Sequence, residues 1–266
     1  MKMPPLLLAA AFAIFASSRL CAQEVNFTPV RIEPRFPGHC QGLCCDDEFL
    51  YISFTSAIIK VDYQGRLIAE TAIPSHAGDL CLVEDKIYVA QALRGTTRNG
   101  GYAVVLDKDL QILQSIPLPR TPKPGCIAYL DGFFYLDNDA FGREPHPINH
   151  VHKYDRDFNF LQQYEVAIGD TKYGAQTMTA QQGSLWMGYY SQTRLVQADP
   201  DLQVRTKLPS PNCSEGLCAA PPRLSGKNPR FLVANNLNRK DEQERRLFGT
   251  LISLQEFRDG TFVILP

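Results

Sequence analysis

The sequence has almost no excess of charge of either sign. Its 266 residues include 27 lysines and arginines and 28 aspartates and glutamates, a formal net charge of −1. Because the chain lacks the basic excess that draws proteins to a phosphate backbone, we expect no nucleic-acid partner. It also lacks an amphipathic pattern long enough for a convincing helix, which argues against helical and α/β classes.

Long apolar runs are scarce. One run, Leu6–Phe15, follows a positively charged start and precedes small residues that end at Ala22. It is too short to span a bilayer but has the length of a signal-peptide core. We expect residues 1–22 to be a signal peptide and residues 23–266 to be one secreted or periplasmic domain without a transmembrane segment. Lipidation at Cys21 is the alternative.

One pattern recurs along the chain: a strand that ends in aspartate, a turn, and another strand. The four aspartates, 45, 48 and 44 residues apart, are Asp62, Asp107, Asp155 and Asp199. Aspartate suits this place because its side chain accepts hydrogen bonds from the N–H groups of a turn. Each copy follows an aromatic or β-branched strand, which itself follows a short strand of small residues. Four antiparallel strands repeated every 40–50 residues are typical of a β-propeller.

Five such units are present, and we predict an all-β, five-bladed β-propeller of four-stranded antiparallel blades. The units begin near Gln41, Gly78, Pro124, Gln176 and Glu215. In the fifth unit the third strand, Gly249–Leu254, lacks the aspartate, and the polar segment Asn235–Arg246 is expected to be a solvated loop. The alternatives are a β-sandwich, or a sixth blade that includes Asn26–Arg35.

Residues that recur at equivalent places in the units are expected in the core. Cys44, Cys81 and Cys218 share one position, where a small buried apolar residue is wanted. Four aromatic residues share another: Tyr51, Tyr88, Phe134 and Trp186. Seven cysteines remain after the expected cleavage, and export permits disulfides. Cys40 and Cys213 precede the first and fifth inner strands, so we hypothesise a disulfide that locks the ring.

The candidate site is one mouth of the central channel, which the starts of the innermost strands line. These starts carry seven polar residues from five separate segments: His39, Gln41, His76, Asp79, Lys123, Gln176 and Glu215. Polar groups that converge in a concavity are the default hypothesis for a site, although water filling the mouth would also favour them. We expect a ligand to bind His39, Gln41, Asp79, Gln176 and Tyr190.

The same mouth has two chemical alternatives. His39 and His76 occupy equivalent positions in neighbouring units, and with Asp79 and Glu215 they would form a histidine–carboxylate site for a divalent metal. If the protein is an enzyme, His76 and Glu215 are the candidate general acid and base.

Two segments of the first unit carry a family resemblance. His39–Leu43, followed by Leu50–Ser53, resembles the Phe-Thr-Gln-Gly-Leu opening of the plant-type glutaminyl cyclases, which are five-bladed propellers. The similarity in blade pattern extends over most of the mature chain, including Gly183–Trp186. A closer similarity is to exported bacterial β-propellers of uncharacterised function, whose three motifs appear here as His39–Gly42, Ser53–Thr55 and, with Ala77 inserted, His76–Leu80.

The resemblance implies a five-bladed propeller and, from the cyclases, a cyclotransferase activity on N-terminal glutamine. Gln41 corresponds to the cyclases' glutamine. Their catalytic glutamate in a Gly-Glu-Gly-Leu motif is replaced by Gly78, with Asp79 beside it, and their third-blade tryptophan is Pro124. A Glu-Gly-Leu sequence occurs instead at Glu215–Leu217.

The sequence therefore favours an exported propeller, expected to be a monomer, that binds a small polar ligand such as a sugar or a peptide end. The first alternative is a lyase, hydrolase or glutaminyl cyclotransferase that uses the same mouth. The second is a protein-interaction scaffold that makes contact through Asn138–His150 and Asn235–Arg246.

Overall fold

A computed structural model describes residues 26–74, 76–93, 100–139, 145–190, 194–209 and 212–266. The expected signal peptide and Cys21 lie outside these ranges, as do residues 140–144 of one proposed contact loop. The described chain is almost entirely β-structure, with a single short 3₁₀ turn at Pro222–Leu224 among the described residues. These residues include no helix with the length and apolar character that a membrane crossing requires.

The strands form four sheets of four strands and one of five. The first strand of the chain is β1 (Val30–Phe36). Blade 1 contains, from the axis outward, β2 (Cys40–Cys45), β3 (Phe49–Phe54), β4 (Ala57–Asp62) and β5 (Leu67–Ala72). Blade 2 contains β6 (Ala77–Val83), β7 (Lys86–Leu93), β8 (Gly100–Asp107) and β9 (Ile112–Leu118).

The next two blades repeat this order. Blade 3 contains β10 (Ile127–Leu130), β11 (Phe133–Asp137), β12 (His146–Tyr154) and β13 (Phe160–Thr171). Blade 4 contains β14 (Ala175–Gln181), β15 (Ser184–Tyr189), β16 (Arg194–Ala198) and β17 (Val204–Pro209). Blade 5 contains β18 (Leu217–Ala219), β19 (Arg230–Lys240), β20 (Arg246–Arg258) and β21 (Thr261–Ile264), together with β1.

The innermost strands β2, β6, β10, β14 and β18 form a closed ring in which each contacts both neighbours. The prediction of a five-bladed propeller of antiparallel blades is confirmed, and the β-sandwich alternative is wrong. Packing between adjacent blades buries the hydrophobic core. Trp186, Tyr51 and Phe134 are no more than 1% exposed, and Tyr88 packs partly buried beside Phe134. The predicted core role of these aromatic residues is confirmed.

The repeated aspartates make the turn contacts expected of them. Asp62 Oδ1 accepts hydrogen bonds from the N–H groups of Gln64 and Arg66, two and four residues ahead. The same pair of contacts recurs at the other three repeats, from Asp107, Asp155 and Asp199. The third residue after each aspartate has a left-handed φ: Gly65 at 79°, Leu110 at 64°, Phe158 at 60° and Leu202 at 58°. The carboxylate hydrogen bonds offset the strain of that backbone at the three non-glycine positions.

Blade 5 differs from its prediction. The segment 235–246 is not a loop, because most of it belongs to β19 and β20, which pair from Arg230↔Glu256 to Lys240↔Arg246. Asp241 makes the aspartate turn within this hairpin, accepting from the N–H groups of Gln243 and Arg245. The turn has therefore moved from after the third strand to before it, which hid the hairpin from a search for the repeat.

The N-terminal strand closes the ring, so the sixth-blade alternative is also wrong. β1 pairs antiparallel with β20, with Val30 opposite Ile252 and Ile32 opposite Thr250. β21 pairs with the other end of β20, where Gln255 lies opposite Ile264. Because β20 is 13 residues long, it has room for both partners. Both ends of the described chain thus meet on one strand of blade 5.

The hypothesis of a Cys40–Cys213 disulfide is not supported: the structure has neither residue in a disulfide. Cys40 belongs to the core cluster that includes Leu43 and Phe54. Cys213 belongs to another cluster, with Trp186 and Leu217. The two sulfurs are buried on different sides of blade 5. Of the recurrent cysteines, Cys44 and Cys218 are buried and Cys81 is partly buried, in line with the predicted core role.

The inner strands approach one another so closely that two of them require glycine. A Cβ atom on Gly78 would overlap the carbonyl oxygen of Gly125 in the next inner strand segment. A Cβ on Gly42 would overlap Asp79 and would lie 3.0 Å from Ser53 Oγ. Main chain therefore packs against main chain around the axis.

We expect Gly78→Ala to destabilise the fold strongly, because the added methyl group meets backbone that a side-chain rotation cannot move. Overpacking of this kind costs about 1–3 kcal/mol or more, so Tm should fall by roughly 5 °C or more. The matched control is Gly100→Ala, whose Cβ meets only Tyr102 Cε2 at 3.8 Å. Equal Tm values for the two variants would contradict the close approach.

Candidate functional site

The starts of β2 and β6 bring two imidazoles together on one amide. Gln41 Nε2 lies 3.1 Å from His39 Nε2 and 3.0 Å from His76 Nε2. The ring centroids of the two histidines are 6.5 Å apart. Gln41 is 3% exposed, whereas both histidines are half-buried. The structure thus unites three of the predicted site residues in a cluster, here called the upper rim.

These contacts assign a hydrogen-bond role to each ring nitrogen of His39. Its Nδ1 lies 3.1 Å from the carbonyl oxygen of Cys40 and must donate to it, since that oxygen only accepts. The Nε2 atom then faces the amide nitrogen of Gln41 as the acceptor of its N–H. The Nε2 atom of His76 likewise faces an N–H donor of Gln41. An imidazole at this position can exchange a proton with a ligand.

Blade 5 adds a carboxylate that is connected to this pair through Asn236. Glu215 accepts a hydrogen bond from the N–H of Asn236 through Oε2. The Asn236 side-chain oxygen accepts from the N–H of Cys40, at 2.9 Å, which links Glu215 to the segment that carries His39. Phe248 lies edge-on to His39, with ring centroids 6.0 Å apart. Sequence reasoning missed Asn236 and Phe248, because it placed Asn236 in a solvated loop and Phe248 outside the third strand.

Asp79 lies in the axis and not on an open surface. It is fully buried, and its Oδ2 accepts from the N–H of Met178 in blade 4, at 2.7 Å. The other oxygen, Oδ1, has no hydrogen-bond partner in the described structure. Burial raises the pKa of the Asp79 carboxyl well above its ordinary value, despite the hydrogen bond from Met178. The Asp79 side chain, which belongs to blade 2, therefore forms a hydrogen bond to blade 4 on the other side of the axis.

Two other predicted ligand residues make their contacts elsewhere. Gln176 donates to the carbonyl oxygen of Tyr173, just before β14. Tyr190 is 44% exposed and lies edge-on to the ring of Tyr173, at 5.6 Å between centroids. Lys123 is exposed, and its main-chain N–H donates to Asn138 Oδ1. The described contacts place Gln176 and Tyr190 with Tyr173 and not with the two histidines.

A further group of titratable residues occupies the boundary of blades 3 and 4. Asp139 Oδ2 accepts from the main-chain N–H of His150, at 2.6 Å, and lies 3.2 Å from its Nδ1. Asp137 is fully buried and accepts main-chain N–H groups from Asp139 and Ala175. Burial, followed by the charge of Asp139, raises the pKa of Asp137. These contacts fix the two ends of the connection between β11 and β12. Structural hydrogen bonding therefore accounts for Asp137, Asp139 and His150.

The opposite end of the channel contains a cavity of about 150 Å³. All five innermost strands line it, through the residues that follow Gly42, Asp79, Ile127, Thr177 and Leu217. Its walls include four cysteines: Cys44, Cys45, Cys81 and Cys218. Sequence reasoning assigned three of these to the core and did not foresee the cavity. The sequence signal for the cavity was the recurrence of cysteine at equivalent positions of three inner strands. We call this space the axial cavity.

The predicted metal site receives no support from the geometry. Within the ranges that the structure describes, no three histidine, cysteine, aspartate or glutamate side chains are grouped as a metal ion would need. Gln41 lies between the two imidazoles, and Asp79 is buried at the axis, where it accepts a hydrogen bond from Met178.

Comparison with known proteins identifies the fold. No family profile matches the sequence, and no curated protein sequence does so. Among solved structures, the chain resembles a glutaminyl cyclase from Myxococcus xanthus with a TM-score of 0.58 and 11% identity, over 85% of this chain and 97% of that one. It also resembles a gluconolactonase from Xanthomonas campestris, with a TM-score of 0.51, 13% identity, and coverage of 80% and 72%.

A third structure with this fold is a protein of unknown function from Bacteroides caccae. Its TM-score is 0.52 at 10% identity, over 85% of this chain and 80% of that one. Identities this low establish a shared fold only. Fold and site together define the class: a five-bladed β-propeller, distantly similar to glutaminyl cyclase, with a histidine–glutamine cluster on its upper rim.

We expect Gln41→Glu to change the protonation of the upper rim. A carboxylate only accepts hydrogen bonds, so each imidazole should carry a proton on the Nε2 atom that faces it. Two-dimensional ¹H–¹⁵N NMR of the imidazoles shows which ring nitrogen carries the proton. Gln197→Glu is the control, since Gln197 donates to Ser184 on blade 4. Unchanged ring nitrogens in the Gln41 variant would rule out the bridging amide.

We expect Asp79→Asn to become more stable relative to the wild type as the pH rises. The folded-state pKa of Asp79 is raised, so its contribution to stability is largest below its unfolded pKa of about 4 and declines above it. Each pH unit between the two pKa values should cost the wild type about 1.4 kcal/mol, or roughly 3–5 °C in Tm. Thermal unfolding of both proteins from pH 4 to 8 tests this. If Tm changes with pH in the same way for Asp79→Asn and the wild type, the expectation is contradicted. That parallel behaviour is the result expected for the exposed control Asp157→Asn.

Proposed function

We propose that this protein is an exported propeller whose upper rim binds a small polar ligand, such as a sugar or the end of a peptide. The observation that carries the proposal is the bridge from Gln41 to the two imidazoles. A buried amide that holds two half-buried rings 6.5 Å apart is a preorganised arrangement of polar groups.

Glu215, beside the upper rim, favours a ligand that donates hydrogen bonds. Glu215 uses Oε2 to accept from Asn236, and within the described structure its Oε1 has no hydrogen bond. The carboxylate would therefore suit a hydroxyl or an amino group, which sugars and peptide ends both carry. His39 has both ring nitrogens engaged, by Cys40 and Gln41, so its role would be to position Gln41. Phe248 would supply an apolar wall beside the ring.

Catalysis at the same rim is the second candidate function. His76 and Glu215 supply an imidazole and a carboxyl group, and a general acid–base pair requires one of the two to be protonated and the other not. Two solved structures with this fold are a glutaminyl cyclase and a gluconolactonase. Their names suggest substrates to test, namely peptides with N-terminal glutamine and sugar lactones.

The test is a thermal-shift screen of the purified protein with sugars, peptides that begin with glutamine, sugar lactones and divalent metal salts. A ligand that binds the native state raises Tm in proportion to its concentration over its Kd. For any compound that does so, His76→Ala and Glu215→Ala should each weaken binding about tenfold or more, measured by calorimetry. Product formation from the glutamine peptide or the lactone would indicate the enzymatic alternative.

The control variant is His146→Ala, an imidazole on β12 that contacts the carbonyl oxygen of Ile148. It should bind as the wild type does. If the His76 and Glu215 variants also bind like the wild type, the ligand does not occupy the upper rim and the proposal is wrong. Binding to a protein partner that deletion of the β19–β20 hairpin tip abolishes, while the rim variants leave it intact, would favour the scaffold alternative.

A further inference from the structure

Two cysteines from the first and last blades meet in the axial cavity. The Sγ atoms of Cys45 and Cys218 are 3.6 Å apart, although 173 positions separate the residues in sequence. Cys45 ends β2 of blade 1, and Cys218 is the middle residue of β18 of blade 5. The ring of blades closes between these two strands.

One of the two thiols is accessible. Cys45 is partly exposed, whereas Cys218 is 5% exposed, and both line the axial cavity. Cys45 Sγ also lies 3.5 Å from the carbonyl oxygen of Ala219. A small reagent that enters the cavity would therefore meet Cys45 first and find Cys218 next to it.

We propose that Cys45 and Cys218 form a reversible disulfide that joins the innermost strands of blades 1 and 5. The reaction needs an external disulfide, R–S–S–R, as oxidant. The Cys45 thiolate attacks one sulfur and releases R–S⁻, and the Cys218 thiolate then attacks the Cys45 sulfur of the mixed disulfide and releases the second R–S⁻. The two cysteine protons go to the two released thiolates, so the oxidant is reduced to two R–SH molecules.

The bond would anchor the shortest strand of the inner ring. β18 is three residues long and pairs with β19 through Leu217, Cys218 and Ala219. The hydrogen bonds of β1 with β20 close the ring at its outside, whereas side-chain and backbone packing closes it at the axis. A covalent link from β2 to β18 would tie the axis across the same joint. Because it encloses a long segment of chain, it should restrict the unfolded state strongly.

The experiment treats the purified full chain with oxidised glutathione, alkylates the remaining thiols in denaturant and maps the peptides by mass spectrometry. We expect a linked pair of peptides that contain Cys45 and Cys218, and reversal of that link by dithiothreitol. The oxidised protein should unfold at a Tm roughly 5–15 °C higher than the reduced protein. Cys45→Ser should remove both the link and the gain in Tm.

The matched control is Cys81→Ser, which removes another thiol of the same cavity and should leave the link and the Tm gain intact. Because Cys218 is buried, a poorly folded Cys218→Ser variant would be uninformative alone, and the peptide map of the wild type decides the matter. Full alkylation of Cys45 and Cys218 after oxidation would overturn the proposal. So would a glutathione adduct that persists on Cys45, or a link from Cys45 to Cys44 or Cys81.

Discussion

The structure depends on the close approach of five inner strands around one axis. At this axis main chain meets main chain, and Gly42 and Gly78 are needed because a methyl group has no space there. The same crowding forces the Asp79 carboxyl out of water and against the N–H of Met178. The channel is therefore divided: polar side chains occupy the starts of the inner strands, and thiols line the cavity at their ends. Each candidate site in the protein derives from this geometry.

Ring closure is a second consequence of the same geometry. In a propeller the first and last blades are neighbours in space but far apart in sequence. A contact between the two ends of the chain therefore closes the ring. Here the N-terminal strand completes the last blade through β20, whose length also accommodates β21. The long β19–β20 hairpin carries Asn236 to the rim, where it connects Glu215 with Cys40. The joint between blades 5 and 1 thus lies beside the upper rim at one end and beside the Cys45–Cys218 pair at the other.

The upper rim owes its chemistry to one amide between two rings. A side-chain amide offers N–H donors at fixed angles, so it orients both imidazoles. Such an arrangement combines rigidity with groups that can exchange protons, which suits recognition of a polar ligand. It also explains why the rim differs from a metal site, in which both ring nitrogens would face a cation.

The sequence alone determined the repeat, the strand types, the aspartate turns and the core position of Tyr51, Phe134 and Trp186. These are local properties, since each depends on hydrogen bonds and side-chain patterns within about ten residues. The tertiary structure alone decided what crosses between blades: the pairing of β1 with β20, the burial of Asp79, the separation of Gln176 and Tyr190 from the histidines, and the meeting of Cys45 with Cys218. Such contacts depend on register and on the distance of each side chain from the axis, and no local pattern in a single chain encodes either quantity.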